Sequence, residues 1–419
     1  MRHTDRLQLE FTAASARAAD LYREAIDAFL GLYGSVERLL DELLAEDPDC
    51  ALGRIALARL RQAQGRAVDA RQEADRALAL SAGLTPREQS HVAALASVVR
   101  GEGRIAHDRV NAHLEQHPRD VFVLSPIAGV FGLFGFSGQS GREEALHADL
   151  ERRRTALADD WWFNAAMAFA EVETGRLAQA RRGIERAWSL NPRSANTAHI
   201  RAHVEYEHGA DRETLSWLPD WLAGYPREGL MHCHLGWHVA LARLRLGDLR
   251  GALEDCRRWV EPVDPASGEG AWGPPLNLVT DASSLLFRAH LRGVPVAAGR
   301  WQRLLAVASR HYPKAGLRFA DLHLLVCAAM AGDQPAVDQR LVGLEGPMGE
   351  LLDHAACGLC ALAQSRWSQA AAALERTLEL HEIIGGSRAQ RDLLREAWAF
   401  AKGEGRPLLA DFRRPYGTA

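Results

Sequence analysis

The sequence predicts an all-α protein built as a helical-repeat superhelix, an α-solenoid. Apolar and alanine positions recur at i, i+3, i+4 and i+7 along nearly the whole chain, which is the spacing of one face of a helix. Gly or Pro interrupts this pattern roughly every 15 to 20 residues, where helices are expected to end. No stretch alternates apolar and polar residues convincingly, so no strand is predicted.

The clearest helix pair runs from Trp161 to Pro192. Gly175 ends its first helix, Ala180 and Ala187 lie on its second helix, and Pro192 closes the pair because proline has no N–H to continue the helix. Small residues at such offsets allow close helix approach. The pattern resembles the tetratricopeptide repeat, which also has a terminal proline.

Glycine breaks mark the repeats at regular distances. Their spacings are 38, 38, 34, 34 and 38 residues, between Gly65, Gly103, Gly141, Gly175, Gly209 and Gly247. The later breaks at Gly293, Gly332 and Ser365 are less regular. A repeat of this length cannot bury its apolar face alone, so repeats must stack. We therefore predict one array over residues 1–419, with about ten helix pairs.

The composition narrows the class of protein. Of the 419 residues, 47% are apolar, as in soluble proteins with real cores, and the formal charge of −4 favours neither nucleic acid nor a membrane surface. Six cysteines in a chain of this size do not resemble a disulfide framework. The N-terminus has no apolar signal-peptide core, and no stretch has the roughly 18 apolar residues that a membrane span needs. We expect a soluble cytoplasmic protein; the oligomeric state stays unknown.

Four histidines carry most of the functional information. His199 and His203 form one i,i+4 pair, His234 and His238 form another, and the pairs are offset by 35 residues. Residues four apart share one helix face, so each pair points one way. An offset of one repeat should bring the pairs onto neighbouring helices. This pattern predicts a converging imidazole cluster.

Further ionisable residues occupy similar positions in the next repeats. Asp281, Asp321 and His323 lie 12, 11 and 9 residues before their glycine breaks, as the histidines do in theirs. All seven fall in the first helix of a pair. In proteins that resemble this one, first helices line the concave side of the superhelix, so one His/Asp-lined groove is expected.

Three kinds of chemistry fit such a groove. Two or three of the histidines could bind a divalent transition metal ion (Zn, Mn or Fe), with Asp281 or Asp321 completing or orienting the set. His with Asp could also perform acid–base catalysis without metal. A third alternative is a small polar ligand or peptide held without reaction. Register-matched histidines between repeats could instead be structural, and the metalloprotease motif His-Glu-x-x-His is absent. Two hypotheses remain: a binding scaffold and a metal-dependent enzyme. We favour the binding scaffold, because fold alone never establishes catalysis.

Two further segments depart from the repeat pattern. Residues 264–275 form a Pro/Gly-rich loop that carries Trp272, and the loop is either a lid or a surface insertion. Near the C-terminus, Ser387 is the expected N-cap of a helix, with Gln390 at the capping-box position. Arg391 in the first turn is predicted to reach the groove and to pair with Asp321 or with a ligand.

Several stretches together resemble the family of tetratricopeptide repeat protein 38. They are residues 84–92 (LTPREQSHV), 198–204 (AHIRAHV), 233–241 (CHLGWHVAL), 319–324 (FADLHL) and 385–392 (GGSRAQRD). They follow the family's order over most of the chain. The resemblance implies an α-helical superhelix and an intracellular protein, and no settled reaction. One departure is Tyr206, where the family would have an acid; Glu205 and Glu207 flank it.

Overall fold

The computed structural model describes residues 1–263, 268 and 270–409, apart from the side chain of Met348. In this part of the chain nearly all regular structure is helical, so the all-α prediction is confirmed. The helices up to the first histidine pair are α1 (Ala16–Gly31), α2 (Val36–Glu46), α3 (Ala51–Ala63), α4 (Ala67–Ser81), α5 (Pro86–Arg100), α6 (Gly103–Gln116), α7 (Val121–Leu124), α8 (Arg142–Leu157), α9 (Trp161–Glu173), α10 (Leu177–Leu190) and α11 (Ala195–His208).

Ten further helices follow. They are α12 (Asp211–Ala223), α13 (His232–Arg245), α14 (Leu249–Asp255), α15 (Pro275–Leu291), α16 (Ala298–His311), α17 (Arg318–Ala331), α18 (Gln334–Leu341), α19 (Gly346–Ala363), α20 (Trp367–Leu380) and α21 (Arg388–Lys402). A five-residue π-helix at Cys256–Val260 follows α14 directly, and a short 3₁₀-helix at His381–Ile384 follows α20.

The chain forms two compact units. The first unit comprises residues 1–137, 142–204 and 228–231, and the second comprises 138–141, 205–227 and the described residues from 232 onward. The division falls inside α11, between Val204 and Glu205. The single array over residues 1–419 stays a prediction.

The helix pair at Trp161–Pro192 is present as the sequence predicted. Helices α9 and α10 pack against each other, and Ala180 and Ala187 of α10 are fully buried. They share an apolar cluster with Phe169 of α9 and Ile184 of α10. Alanines at these positions let the helix axes approach closely, as the sequence predicted.

The predicted breaks coincide with left-handed backbone at almost every repeat. Positive φ angles occur at Gly65, Gly141, Gly175, Gly209, Gly247, Gly293 and Gly332, and Ser365 also has a φ of 57°. The break predicted at Gly103 is displaced, because α5 ends with Gly101 as its left-handed C-cap and Gly103 begins α6. The periodic glycines therefore mark turns that L residues adopt only with strain.

A short hairpin at the N-terminus departs from the prediction of no strand. Strand β1 (Arg2–Thr4) pairs antiparallel with β2 (Glu10–Thr12). The Thr12 N–H donates to a carboxylate oxygen of Glu88 on α5 at 2.6 Å, which ties the hairpin to the helices. Strands of three residues are too short for an alternating pattern to be read in the sequence.

Within the Pro/Gly loop predicted at 264–275, residues 264–267 and 269 lie outside the described residues. Trp272 is 62% exposed, so it does not anchor the loop in a core. Among the described residues, no helix is both long enough and apolar enough to cross a membrane.

Candidate functional site

The candidate residues lie on five helices, and four of these are alternate helices along the chain. His199 and His203 lie on α11, His234 and His238 on α13, and Asp281 on α15. Asp321 and His323 lie on α17, and Arg391 lies on α21. The i,i+4 spacing and the 35-residue offset in the sequence account for the placement on α11 and α13.

In the first unit, the rings of His199 and His203 face each other through their Nε2 atoms at 2.9 Å. One Nε2 must carry a proton and donate a hydrogen bond to the other Nε2, because two lone pairs or two N–H groups would repel each other. Phe169 of α9 contacts both rings, edge-on to His203 and nearly parallel to His199. The contacts with Phe169 and the hydrogen bond between the two rings therefore orient this histidine pair.

The distance between these two nitrogens also suits a metal ion. Two imidazole nitrogens, each about 2.0–2.1 Å from one zinc ion at an angle between 90° and 109°, would be about 2.9–3.4 Å apart. The 2.9 Å separation of the two Nε2 atoms lies at the short end of this range. To act as neighbouring ligands, both rings would have to turn their Nε2 lone pairs away from the N–N line and towards one ion.

In the second unit, His234 and Asp281 form a buried dyad. His234 Nδ1 lies 2.7 Å from Asp281 Oδ2, and both residues are almost fully buried. A carboxylate can only accept, so Nδ1 donates and Nε2 becomes the acceptor atom of the ring. The ring of Trp237 stacks on His234 at an interplanar angle of 7°, and His238 packs edge-on against His234.

This dyad has the form that metal sites and general bases share. A carboxylate that fixes the tautomer of a histidine raises the basicity of the opposite nitrogen. Asp281 thus contacts one of the predicted histidines, and its predicted role in completing or orienting a ligand set stays a prediction. The two histidine pairs belong to different units of the structure, one to each, and their convergence stays a prediction.

Asp321 and His323 are buried and already engaged by their own unit. Asp321 accepts a hydrogen bond from Arg340 at 3.1 Å and another from the Gly316 N–H at 2.9 Å. His323 Nδ1 donates to the Phe319 carbonyl at 2.7 Å, and burial lowers the pKa of His323 to about 4. The contacts of Asp321 give it a structural role, and its binding of a ligand stays a prediction.

Of the two partners predicted for Arg391, Asp321 pairs with a different arginine, and contact with a ligand stays a prediction. Arg391 donates to the Gly386 carbonyl in the turn that precedes α21, and Arg340 occupies Asp321. The capping box is confirmed, since the Ser387 side chain accepts from the Gln390 N–H while the Gln390 side chain accepts from the Ser387 N–H. The physical reason is local: a first-turn arginine reaches the carbonyl groups of its own turn more readily than a carboxylate on another helix.

The neighbours of Tyr206 also have structural partners. The Tyr206 hydroxyl donates to Asp392 of α21 at 3.0 Å. Glu205 accepts from the Thr214 hydroxyl and the Trp217 indole N–H of α12. These contacts fasten α11 to α12 and α21 inside the second unit, and they explain why buried acids flank a tyrosine here.

A second polar cluster in the first unit was not predicted. Asp120 Oδ2 lies 2.9 Å from His91 Nδ1 and 3.1 Å from His113 Nε2, and Arg87 donates to the same oxygen at 2.7 Å. Burial raises the pKa of Asp120, but the two histidines and Arg87 outweigh it and hold the pKa well below its usual 3.8. No periodic signal could have found this cluster, since its residues have no common repeat offset.

The donor set of this second cluster could in principle hold a cation, since its ligand atoms lie within 4.8 Å of one another. However, the Arg87 guanidinium already neutralises the carboxylate. A metal ion would have to displace that hydrogen bond and approach a fixed positive charge. We therefore assign this cluster to the fold, where Asp120 also caps α7.

No family model matches the chain. The resemblance to the family of tetratricopeptide repeat protein 38 remains a hypothesis from the sequence.

Proposed function

We propose that this protein is a tetratricopeptide-like binding scaffold whose first-helix histidines and Asp281 hold a small polar ligand. A divalent transition metal ion is the ligand class that the donor set favours. The observation that carries the proposal is the Nε2–Nε2 distance of 2.9 Å between His199 and His203. Neutral imidazoles are preferred ligands of Zn, Fe and Ni ions, whereas Mg and Ca prefer oxygen.

The His234–Asp281 dyad supports the same ligand class. Its hydrogen bond leaves the proton on Nδ1, so Nε2 presents a lone pair. Histidines that bind metals commonly donate their other N–H to a carboxylate in this way. That both histidine pairs serve a single ion rests on their 35-residue offset in the sequence.

A decisive experiment is cobalt titration of the full chain after removal of bound metal by chelator. Visible absorption of Co²⁺ reports imidazole coordination and geometry. We expect about one equivalent of Co²⁺ or Zn²⁺ per chain. The double variant His203→Ala His238→Ala should lose this binding, whereas His311→Ala, which removes an exposed histidine of α16, should keep it.

Two results would refute the metal proposal. One is the absence of a ligand-field spectrum in the parental protein at a several-fold excess of Co²⁺. The other is equal binding by the double variant and the His311→Ala control. In either case the remaining form of the proposal is a metal-free groove for a polar molecule or peptide, which amide chemical-shift changes on α11 and α13 would report.

The enzymatic alternative uses the same residues. A metal ion with three imidazole ligands leaves a coordination position for water or substrate, as in catalytic zinc sites. Turnover of ester or amide substrates by the metal-loaded chain, abolished by His234→Ala and retained by His311→Ala, would establish it. Loaded protein without such turnover supports the binding scaffold.

A further inference from the structure

The first unit contains a mainly apolar cavity, and His199 of the proposed metal site lies in its wall. It has a volume of about 170 Å³. Its walls are mainly apolar side chains, among them Phe29, Trp162, Phe169 and Ile200. An engineered apolar cavity of about 150 Å³ accepts a benzene molecule. This cavity therefore has room for an apolar group of about six to eight carbon atoms.

Arg59 of α3 places a positive charge at this cavity. The guanidinium donates to the side chain of Gln62, and its Nε is buried without a hydrogen-bond partner. Throughout the part of the chain that the structure describes, no carboxylate lies within ion-pair distance of Arg59. Burial lowers the pKa of Arg59 to about 10, and no acidic group offsets this effect.

An unpaired arginine in apolar surroundings is unusual. Buried charges are almost always paired, because an unpaired charge loses its hydration without compensation. The other arginines of α3 follow this rule, since Arg54 pairs with Glu73 and Arg61 with Glu37. Arg59, which is half-buried, is thus the arginine of α3 that has no carboxylate partner among the described residues.

We propose that this cavity binds a small monocarboxylate, with the apolar body in the cavity and the carboxylate paired with Arg59. A guanidinium offers a planar fork of N–H donors that matches a carboxylate. A phosphate would bring two charges into a site with one. Asn196 also lines the cavity. His199 lines the cavity too, but the proposal does not depend on a metal ion there.

Isothermal titration of the full chain with octanoate and benzoate tests this site, with octanol and benzamide as uncharged analogues. We expect the carboxylates to bind and the uncharged analogues to bind at least about tenfold more weakly. Arg59→Met keeps the length of the side chain and removes the charge, so Kd should rise about thirtyfold or more. Arg104→Met, which removes an exposed arginine of α6, should leave Kd unchanged.

Thermal denaturation separates ligand binding from a structural role of Arg59. Without ligand, Arg59→Met should melt at the parental temperature or higher, because it removes a half-buried, partly desolvated charge that has no carboxylate partner among the described residues. With octanoate, the parental protein should gain stability and the variant should not. A second variant, Ala166→Leu, fills the cavity wall while keeping Arg59 and should also abolish binding.

Three outcomes would overturn the proposal: no binding of either carboxylate by the parental chain, equal binding by Arg59→Met, or equal binding by Ala166→Leu. Cobalt titration of the same variants keeps the two sites apart. Retained Co²⁺ binding with no carboxylate binding refutes this inference alone, and the reverse result refutes the metal site alone.

Discussion

Glu396 of α21 is the centre of a deeply buried ion network. It accepts a hydrogen bond from Arg288 at 3.0 Å and another from Arg292 at 2.6 Å, and both arginines lie on α15. Arg288 is 0% exposed and Glu396 is 5% exposed. Arg288 also donates to the Ala389 carbonyl at 2.7 Å, so the network fastens α21 to α15. Glu396→Ala is the substitution that tests this role.

The cost of this substitution follows from the two bonds it removes. Each charge-assisted hydrogen bond contributes about 1.5–3 kcal/mol, and leaving a buried charge without its partner costs about 3–5 kcal/mol in all. We expect Glu396→Ala to lower the free energy of unfolding of the second unit by about 4 kcal/mol. Glu396→Gln keeps the shape and one acceptor oxygen, so its cost should be about 2 kcal/mol.

The assay is urea unfolding followed by far-ultraviolet circular dichroism, with hydrogen exchange of the α21 amides as a local readout. Glu375→Ala, at an exposed position of α20, is the control and should change stability by less than about 0.5 kcal/mol. If Glu396→Ala is no more destabilising than this control, or if α21 amides exchange at the parental rate, the network does not hold the helix.

Three further predictions address the cluster of Asp120, the pH response and the repeat turns. Asp120→Asn should lower the free energy of unfolding by about 2 kcal/mol at neutral pH, whereas the exposed Asp41→Asn should change it little. The Asp120 carboxylate contributes this stability above the unfolded pKa of about 3.9, and the contribution is lost as the pH falls towards the lower folded pKa. Because the pKa of His323 is about 4 in the folded chain, stability should fall by about 1 kcal/mol from pH 7.5 to 5.5, as the unfolded imidazole takes up a proton near pH 6.5, and His323→Gln should remove that part of the slope. Gly332→Ala should lower the free energy of unfolding by about 1 kcal/mol through backbone strain alone, because φ is +71° and no atom lies close to the added methyl group. Gly299→Ala, at an ordinary φ inside α16, should leave this free energy unchanged or raise it. Chemical denaturation of both variants measures the difference.

Helix periodicity and turn chemistry were readable from the sequence because both are local. The i,i+3,i+4 spacing of apolar residues predicted the helices. The glycine spacing located the left-handed turns, with one displacement of two residues at Gly101. The Ser387–Gln390 capping box was predicted from three-residue spacing alone. The N-terminal hairpin was not predicted, because strands of three residues are too short to show an alternation of apolar and polar residues.

The spacing of residues in the sequence could not predict which buried charged residues form ion pairs with each other. Arg391 was expected to meet Asp321, but the carboxylate pairs with Arg340 of α18. Such a choice depends on which side chains face each other across two packed helices, and a chain with many arginines offers many candidates. The cluster around Asp120 was missed for the same reason.

The sequence by itself determined the helical class, the positions of the repeat turns and the placement of each histidine pair on one helix face, because these follow from residues within one or two turns of each other. Tertiary structure decided the rest. It fixed the proton of His234 through Asp281, it buried Asp321 against Arg340, and it left Arg59 beside an apolar cavity without a carboxylate. Each of these depends on distances between atoms far apart in the chain, and such distances are set by packing rather than by local spacing.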